Sequence, residues 1–367
     1  MEKAIRVALT LEQCWHRVPG GTAVAAIGMA RALAARDDVA VVGVAALHRE
    51  PPPAEWTPPV EVRQLRLPRL ALYEAWHRLR RPRVERATGD IELIHASSIA
   101  IPPRTKPLVV TIHDLLFLRQ PEHFTRRGLG FFHRGLRLAL KDADLALCSS
   151  HATMSDCLEA GFDESRLRHV PLGVDATRAD PARIDAVRRH YGLEGPFVLW
   201  TGTVEPRKNL RRLLEAWRAL ARDDVELVLV GPKGWHEDLD AMIGDARRTV
   251  KTMGFVPRHH LEALYAGARV FCFPSLLEGF GFPVLEAMAQ GTPVITSRGT
   301  STEELAGDAA ILVDPGDPSS IAEGIASVLD DAALHAKLSD AGPERAARYS
   351  WTNTADLIVT SYRELVG

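Results

Sequence analysis

The stretch from Ala268 to Ala289 constrains the chain more than any other. Ala268 to Pro274 is a short apolar run that reads as a buried strand, and Pro283-Val284-Leu285-Glu286-Ala287-Met288-Ala289 reads as a helix. Pro283 suits the first helical turn, where its missing N–H costs nothing. Between the two lies Glu278-Gly279-Phe280-Gly281-Phe282, so the segment is a strand, a glycine-rich turn and a helix start. Gly279 and Gly281 let the backbone approach a ligand with no Cβ in the way. The unpaired N–H groups of the helix start, aided by its dipole, favour an anion or a row of oxygens. Glu278 and Glu286 flank this cradle. Carboxylates accept paired bonds from vicinal hydroxyls, so the arrangement suits a sugar on one side and a ribose on the other. Acidic residues are also common at helix starts, which would account for the glutamates alone.

The same unit recurs. Apolar runs at Ile5–Leu11, Val39–Leu47, Ile91–Ala96, Leu108–Ile112 and Leu145–Cys148 read as strands, as does the alternating run Val60–Leu67. Phe197–Thr201, Val225–Val230, Thr252–Val256, Val294–Ser297 and Ile311–Val313 continue the series. Ala23 to Ala35, rich in good helix formers, follows the loop Pro19-Gly20-Gly21-Thr22. Repeated strand–turn–helix units predict an α/β protein of doubly wound parallel sheets, and 367 residues fit two domains. Gly20 and Gly21 could turn backbone amides toward a phosphate or an acceptor, or form only a tight turn. No G-x-G-x-x-G is present, which argues against a nicotinamide cofactor.

Charged residues sit at other strand ends. His113-Asp114 closes Leu108–Ile112, at the edge where open parallel sheets bind ligands. Gly202-Thr203-Val204-Glu205-Pro206-Arg207-Lys208-Asn209-Leu210 follows Phe197–Thr201. Arg207, a forked donor, and Lys208, a compact cation, suit a diphosphate. Cations at a helix start oppose its dipole, which a bound phosphate would explain. Ser149-Ser150-His151 opens a helix with good capping residues. Asp142-Ala143-Asp144 has the D-x-D form of a metal site but falls where a helix gives way to a strand, and reads as a solvated boundary. Five arginines between Arg78 and Arg86 read as a solvated face, with an anionic membrane or a lipid phosphate as the functional alternative.

Composition excludes several classes. Apolar content of 46% and charged content of 25% are those of a globular protein, and a net charge of −2 gives no global attraction to nucleic acid. The start, Met1-Glu2-Lys3-Ala4-Ile5-Arg6, lacks the apolar core of a signal peptide, and no run reaches the ~20 apolar residues of a membrane helix. Four scattered cysteines form no C-x-x-C and read as reduced thiols. The expectation is a cytoplasmic protein, with peripheral contact at the inner membrane face as an extension.

Glu278 and Glu286 form a Glu-x7-Glu phrase that resembles the signature of glycosyltransferase family 4, retaining enzymes of the GT-B fold. The resemblance covers nearly the whole chain. Thr111-Ile112-His113-Asp114-Leu115 and Glu205-Pro206-Arg207-Lys208-Asn209-Leu210 look most like the mannosyl- and rhamnosyltransferase group. It implies two Rossmann-like domains facing a central cleft. These are an acceptor-binding domain at 1–175 and a nucleotide-sugar domain at 196–348, with 349–367 returning as a helix to the first; the polar segment 176–195 connects them. It further implies that Glu278 meets the transferred sugar and Glu286 the ribose. Gly279, Phe280, Gly281 and Phe282 would line sugar and phosphate through their backbone, and the edge ending at Val256 would hold the base. By the same resemblance His113 is an active-site histidine, and the Gly20-Gly21 loop meets phosphate or acceptor. The sequence departs at Thr203, where many members carry an arginine, so the pyrophosphate clamp rests on Lys208 and Arg207. The expected reaction is transfer of a hexose, first mannose from GDP-mannose, to a glycan or lipid-linked glycan, with no metal. dTDP-rhamnose or UDP-hexose donors, an epimerase or hydrolase, and a non-catalytic nucleotide-sugar binder are the alternatives.

Overall fold

The structure is a computed structural model that describes residues 3–16, 20–232, 234 and 238–367; Pro19 of the first glycine loop lies outside them. The chain divides into two compact units, Met1–Gly173 with Ser350–Gly367, and Val174–Tyr349. Among the described residues the first contains β1 (Ile5–Thr10), β2 (Val39–Ala45), β3 (Val62–Gln64), β4 (Leu93–Ala96), β5 (Leu108–Ile112), β6 (Leu145–Cys148) and β7 (Leu167–His169). They form one sheet in the order β3-β2-β1-β4-β5-β6-β7, every pair parallel. The second contains β8 (Phe197–Thr201), β9 (Glu226–Val230), β10 (Val250–Gly254), β11 (Val270–Phe273), β12 (Val294–Ser297) and β13 (Ala310–Val313). Their order is β10-β9-β8-β11-β12-β13, again all parallel. Both are doubly wound α/β sheets. The order reverses beside β1 and beside β8, the places where such sheets bind ligands at their carboxyl ends.

Helices cover both faces, so the central strands are apolar without alternation; all five residues of β5 and of β8 are buried. The edge strand β3 is shorter than its alternating pattern predicts. The Leu67 N–H turns back onto the Leu65 carbonyl at 2.8 Å, and Pro68 has no N–H to continue the ladder. The segment expected to be a plain connection holds a helix, Pro181–His190. Asp180 caps it by accepting the Ala182 N–H at 2.8 Å, and Pro181 occupies the first turn.

Two acidic or basic runs read as solvated are engaged. Arg80 donates to the carbonyls of Trp76, Ile101 and Pro102 and pairs with Asp142 at 2.7 Å. Asp144 accepts from Arg104 at 2.6 Å and from the Leu108 N–H at 2.8 Å. A carboxylate at a helix–strand junction is surrounded by loose backbone donors, and arginines 40 and 62 residues away in sequence reach these two. That cannot be read from a local pattern. All four cysteines are free and buried.

The last helix, Trp351–Val366, belongs to the first unit and starts at Ser350, whose hydroxyl accepts the Asn353 N–H at 3.1 Å. Its Tyr362 hydroxyl meets His95 Nδ1 at 2.7 Å, and the other ring nitrogen meets Thr111 Oγ1 at 2.7 Å. Burial and the neighbouring His113 push the His95 pKa down to about 3, so the ring is a neutral core group with both nitrogens satisfied. At its start the helix lays Trp351 against Gly28 of the helix Gly21–Ala34, where an added Cβ would run into the indole. A glycine to alanine change inside a helix ordinarily stabilises by about 0.5–1 kcal/mol. Here the clash reverses the sign. Gly28→Ala is expected to cost about 1–3 kcal/mol, read as a fall in the denaturant midpoint; a gain in stability would show that Trp351 does not pack there.

Candidate active site

In the second unit the loop after β8 and the loop after β11 meet. Pro206–Lys208 is a single 3-10 turn, and the helix proper starts at Leu210. Asn209 between them has φ of 58°, and its side chain donates to the Pro274 carbonyl at 2.8 Å and the Pro315 carbonyl at 2.7 Å. The Leu276 N–H donates to the Arg207 carbonyl at 2.8 Å. These bonds fix the two loops against each other.

The result is a cluster of four charged groups. Lys208 Nζ lies 2.6 Å from Glu278 Oε1, and Arg207 lies 2.7 Å from Glu278 Oε2. The same guanidinium reaches back to Glu205 Oε1 at 2.7 Å. Lys208 also sits over the Phe273 ring, 4.7 Å from its centre. Glu278 and Glu205 keep only 8% and 6% of their side-chain surface exposed, so the pairing is nearly dry. Burial alone would raise the Glu278 pKa, but Arg207 and Lys208 outweigh it and hold it at about 2. Burial and Arg207 pull the Lys208 ammonium below its ordinary value, and Glu278 and Glu205 partly restore it. Two carboxylates and two cations cancel formally. The cations are therefore compensated without a phosphate, and their opposition to the helix dipole does not require one.

Glycines shape the surrounding backbone at two points. A Cβ on Gly231, with φ of 143°, would strike the Gly202 carbonyl, so the strand-end loops of β8 and β9 approach as bare backbone. Gly281, with φ of 120°, leads into the helix Phe282–Ala289, and a Cβ there would lie 2.7 Å from Thr302. Ser301 pins this turn, donating to the carbonyls of Glu278 and Phe280, each at 2.8 Å. The side chains of Phe280 and Phe282 are buried and pack edge to face at 5.2 Å, so backbone is what the turn can offer a ligand.

The other expected residues fall elsewhere. Glu286 lines a separate recess with Asp175, Arg258, Leu261, Glu262, Tyr265 and Gln290. Its carboxylate faces Arg258 at 3.4 Å, and burial raises its pKa against the pull of Arg258 and Tyr265. Val256 is buried just after β10, beside an exposed Phe255. The Thr203 methyl lies against Gly234, 2.8 Å from where a Cβ would stand. His113, Gly20 and Gly21 belong to the first unit. His113 Nε2 is 2.9 Å from the Ser97 carbonyl, which can only accept, so that nitrogen carries a proton. Burial lowers the His113 pKa, while the Ser97 bond and Asp114 raise it. Asp114 accepts the Leu116 N–H at 3.2 Å and closes the following turn. A Cβ at Gly20 would meet nothing within 4 Å, so neither crowding nor strain requires glycine there.

Sequence reasoning passed over Glu205, Ser301, Asn209 and Arg258. Glu205 was visible as an acid two residues before the cations; its burial was not.

The family described as glycosyl transferases group 1 matches residues 185–345, and that described as glycosyltransferase family 4 matches residues 19–178. The O-antigen chain mannosyltransferase B of Escherichia coli is 32% identical over 306 residues, 80% of this chain and 80% of its own. The MMP alpha-(1->4)-mannosyltransferase of Mycolicibacterium hassiacum is 31% identical over 305 residues, 76% of this chain and 72% of its own. Among solved structures, Anabaena Alr3699/HepE with UDP and glucose superposes with a TM-score of 0.78 at 21% identity, covering 98% of this chain and all of its own. That likeness speaks for the fold. The chain is therefore a glycosyltransferase of the GT-B fold and belongs to glycosyltransferase family 4.

Proposed function

We propose that the protein transfers mannose from GDP-mannose, with retention at the anomeric carbon, to a hydroxyl of a glycan or lipid-linked glycan. The observation that carries this reading is the buried Glu278–Arg207–Lys208 cluster at adjoining strand ends. The relatives named mannosyltransferases support the sugar. In the proposed reaction the bond from the anomeric carbon to the diphosphate breaks, and a bond to the acceptor oxygen forms on the same face. The acceptor's proton passes to the departing phosphate. Lys208, Arg207 and the backbone N–H groups from Gly279 to Phe282 stabilise the charge that develops on the diphosphate. These cations supply the positive charge, and no metal enters the proposal.

Direct same-face attack is favoured over a glycosyl-enzyme on chemical grounds. A retaining hydrolase needs a nucleophilic carboxylate and a second one a few Å away. Glu278, held near a pKa of 2 by two cations, is a weak base and a weak nucleophile. Asp114 is occupied with a backbone N–H. In this reading Glu286 takes the ribose hydroxyls, backbone before Val256 takes the base, and Gly20 and Gly21 meet phosphate or acceptor.

A nucleotide panel tests the donor. GDP at a hundredfold excess over its dissociation constant should add about 2.7 kcal/mol to unfolding, seen as a raised Tm, with UDP, dTDP and ADP giving less. Lys208→Ala should abolish the GDP shift. A larger shift with UDP or dTDP would replace the donor, and no shift with any would refute the diphosphate site.

A basic face in the first unit supports an acceptor presented at an anionic membrane. On the helix Arg126–Asp142, Arg126, His133, Arg137 and Lys141 recur at helical spacing and are exposed. Arg78, Arg81, Arg83 and Arg86 are exposed as well, and Leu79 beside them is 70% exposed. No helix among the described residues is long and apolar enough to cross a membrane. Each cation near an anionic surface contributes about 1 kcal/mol. Co-sedimentation with phosphatidylglycerol vesicles, lost in 0.5 M salt (about a 4 Å screening length) and in Arg126→Gln/Arg137→Gln/Lys141→Gln, is expected. Equal binding to neutral vesicles would contradict it.

A further inference from the structure

His113, which the family resemblance makes an active-site histidine, is held by groups that come from two neighbouring strands. β4 lies between β1 and β5, so Thr10, Ser97 and His113, at or just past the carboxyl ends of the three, are brought side by side. Gln13 follows in the 3-10 turn Glu12–Trp15. Thr10, Gln13 and Ser97 are 4%, 3% and 0% exposed.

We propose that Thr10, Gln13 and Ser97 are a positioning network that fixes the His113 imidazole as its Nε2–H tautomer. The bonds form one consistent set. Thr10 Oγ1 accepts the Ser97 N–H at 2.9 Å, and the Ser97 hydroxyl donates to the Thr10 carbonyl. With that proton committed, Thr10 Oγ1–H donates to Ser97 Oγ at 3.2 Å. The Gln13 amide donates to Ser97 Oγ at 3.0 Å and to the Ser97 carbonyl at 3.3 Å. Ser97 is thus held at its N–H, its hydroxyl and its carbonyl. Its carbonyl has two lone pairs; Gln13 takes one, and His113 Nε2–H donates to the other at 2.9 Å. A carbonyl that cannot rotate and cannot donate leaves the ring one way to bond. On the backbone side, Thr153 Oγ1 donates to the His113 carbonyl at 3.3 Å and restrains the main chain.

The network also sets the basicity of the ring. A hydrogen bond to the Ser97 carbonyl favours the charged imidazolium, and sharing that carbonyl with Gln13 weakens the effect. Removing the Gln13 donor strengthens the remaining bond and raises the His113 pKa; replacing it by a carboxylate raises it further. The titratable neighbours that face the ring are Asp114 beside it, which raises its pKa, and His95 on β4. Both stay in place in these variants. The Gln13 Oε1 atom has no hydrogen-bond partner among the described residues, so the amide acts here as a donor.

This inference rests on the expectation, carried by the family resemblance, that His113 takes part in the reaction, and the experiment separates the two. Imidazole 15N shifts of His113, identified by difference against His113→Gln, are followed from pH 5 to 8. The wild type should show one tautomer with the proton on Nε2. Gln13→Met should show a raised pKa, Gln13→Glu a larger rise, Thr10→Val mixed tautomers, and Thr10→Ser the wild-type spectrum. In Gln13→Met, Gln13→Glu and Thr10→Val kcat should fall about ten- to a hundredfold, its acid limb moving up in pH where the pKa rises, while the KM for the nucleotide sugar and all values for Thr10→Ser stay unchanged. If Thr10→Val does not fold, Gln13→Met, outside the sheet, still gives the answer. An Nδ1–H wild type, or a His113 spectrum and pH profile untouched by Gln13→Met and Gln13→Glu, would overturn the network. Full turnover in His113→Gln would remove the catalytic role and leave the tautomer result standing.

Discussion

Glu278 with Lys208 and Arg207 on its two oxygens is the contact around which the second unit is arranged. A carboxylate with 8% of its side-chain surface exposed is tolerable only when compensated, and breaking a buried pair by removing one partner costs roughly 3–5 kcal/mol. The compensation comes from another loop seventy residues away in sequence, so β8 and β11 must lie side by side. Asn209 in its left-handed conformation and Ser301, the first residue of the helix Ser301–Ala306 after β12, exist, in structural terms, to hold those loops. The same low dielectric that makes the pairing obligatory would make an entering diphosphate strongly felt.

The cluster is formally neutral, and that shapes how it can work. A diphosphate adds negative charge, so it must draw a cation away from a carboxylate. Arg207 bonds two carboxylates and Lys208 one. Lys208 is also the shorter, more pliable donor, with its pKa already lowered by burial and by Arg207. In the proposed liganded state Lys208 is the group that turns toward phosphate, with Glu205 keeping Arg207 in register. Released from Lys208 in that proposed state, Glu278 would gain an open oxygen for a sugar hydroxyl. The resting pairing and the proposed liganded one are two states of the same four side chains.

Most strands were legible because buried parallel strands are apolar without interruption: Leu108–Ile112, Leu145–Cys148, Phe197–Thr201 and Val294–Ser297 have the boundaries read from sequence. Val60–Leu67 was over-read, since alternation says nothing of the turn at Leu67 that ends an edge strand. Helix Pro181–His190 was passed over although Asp180-Pro181 is a start signal, because the segment's polarity resembles a linker. For the site, the residue types at strand ends were visible, and the contact between Glu278 and the 207–208 loop follows from strand order. What could not be read was compensation. Glu205, Asp142 and Arg80 look like surface charges in one dimension, and only the fold shows that Glu205 is buried and the other two half-buried, each with a partner. The Thr10–Gln13–Ser97 network was invisible for the same reason, being built from small polar residues that any turn contains.

The central claim, that the 207–208 loop is a diphosphate site neutralised at rest by Glu278, is tested most directly by a crystal structure with GDP bound. The account predicts a phosphate oxygen within about 3 Å of Lys208 Nζ, the usual length of a charge-assisted bond. Arg207 should remain on Glu205, and Glu278 should have lost its bond to Lys208. A diphosphate bound elsewhere, with the Lys208–Glu278 pair intact, would contradict it.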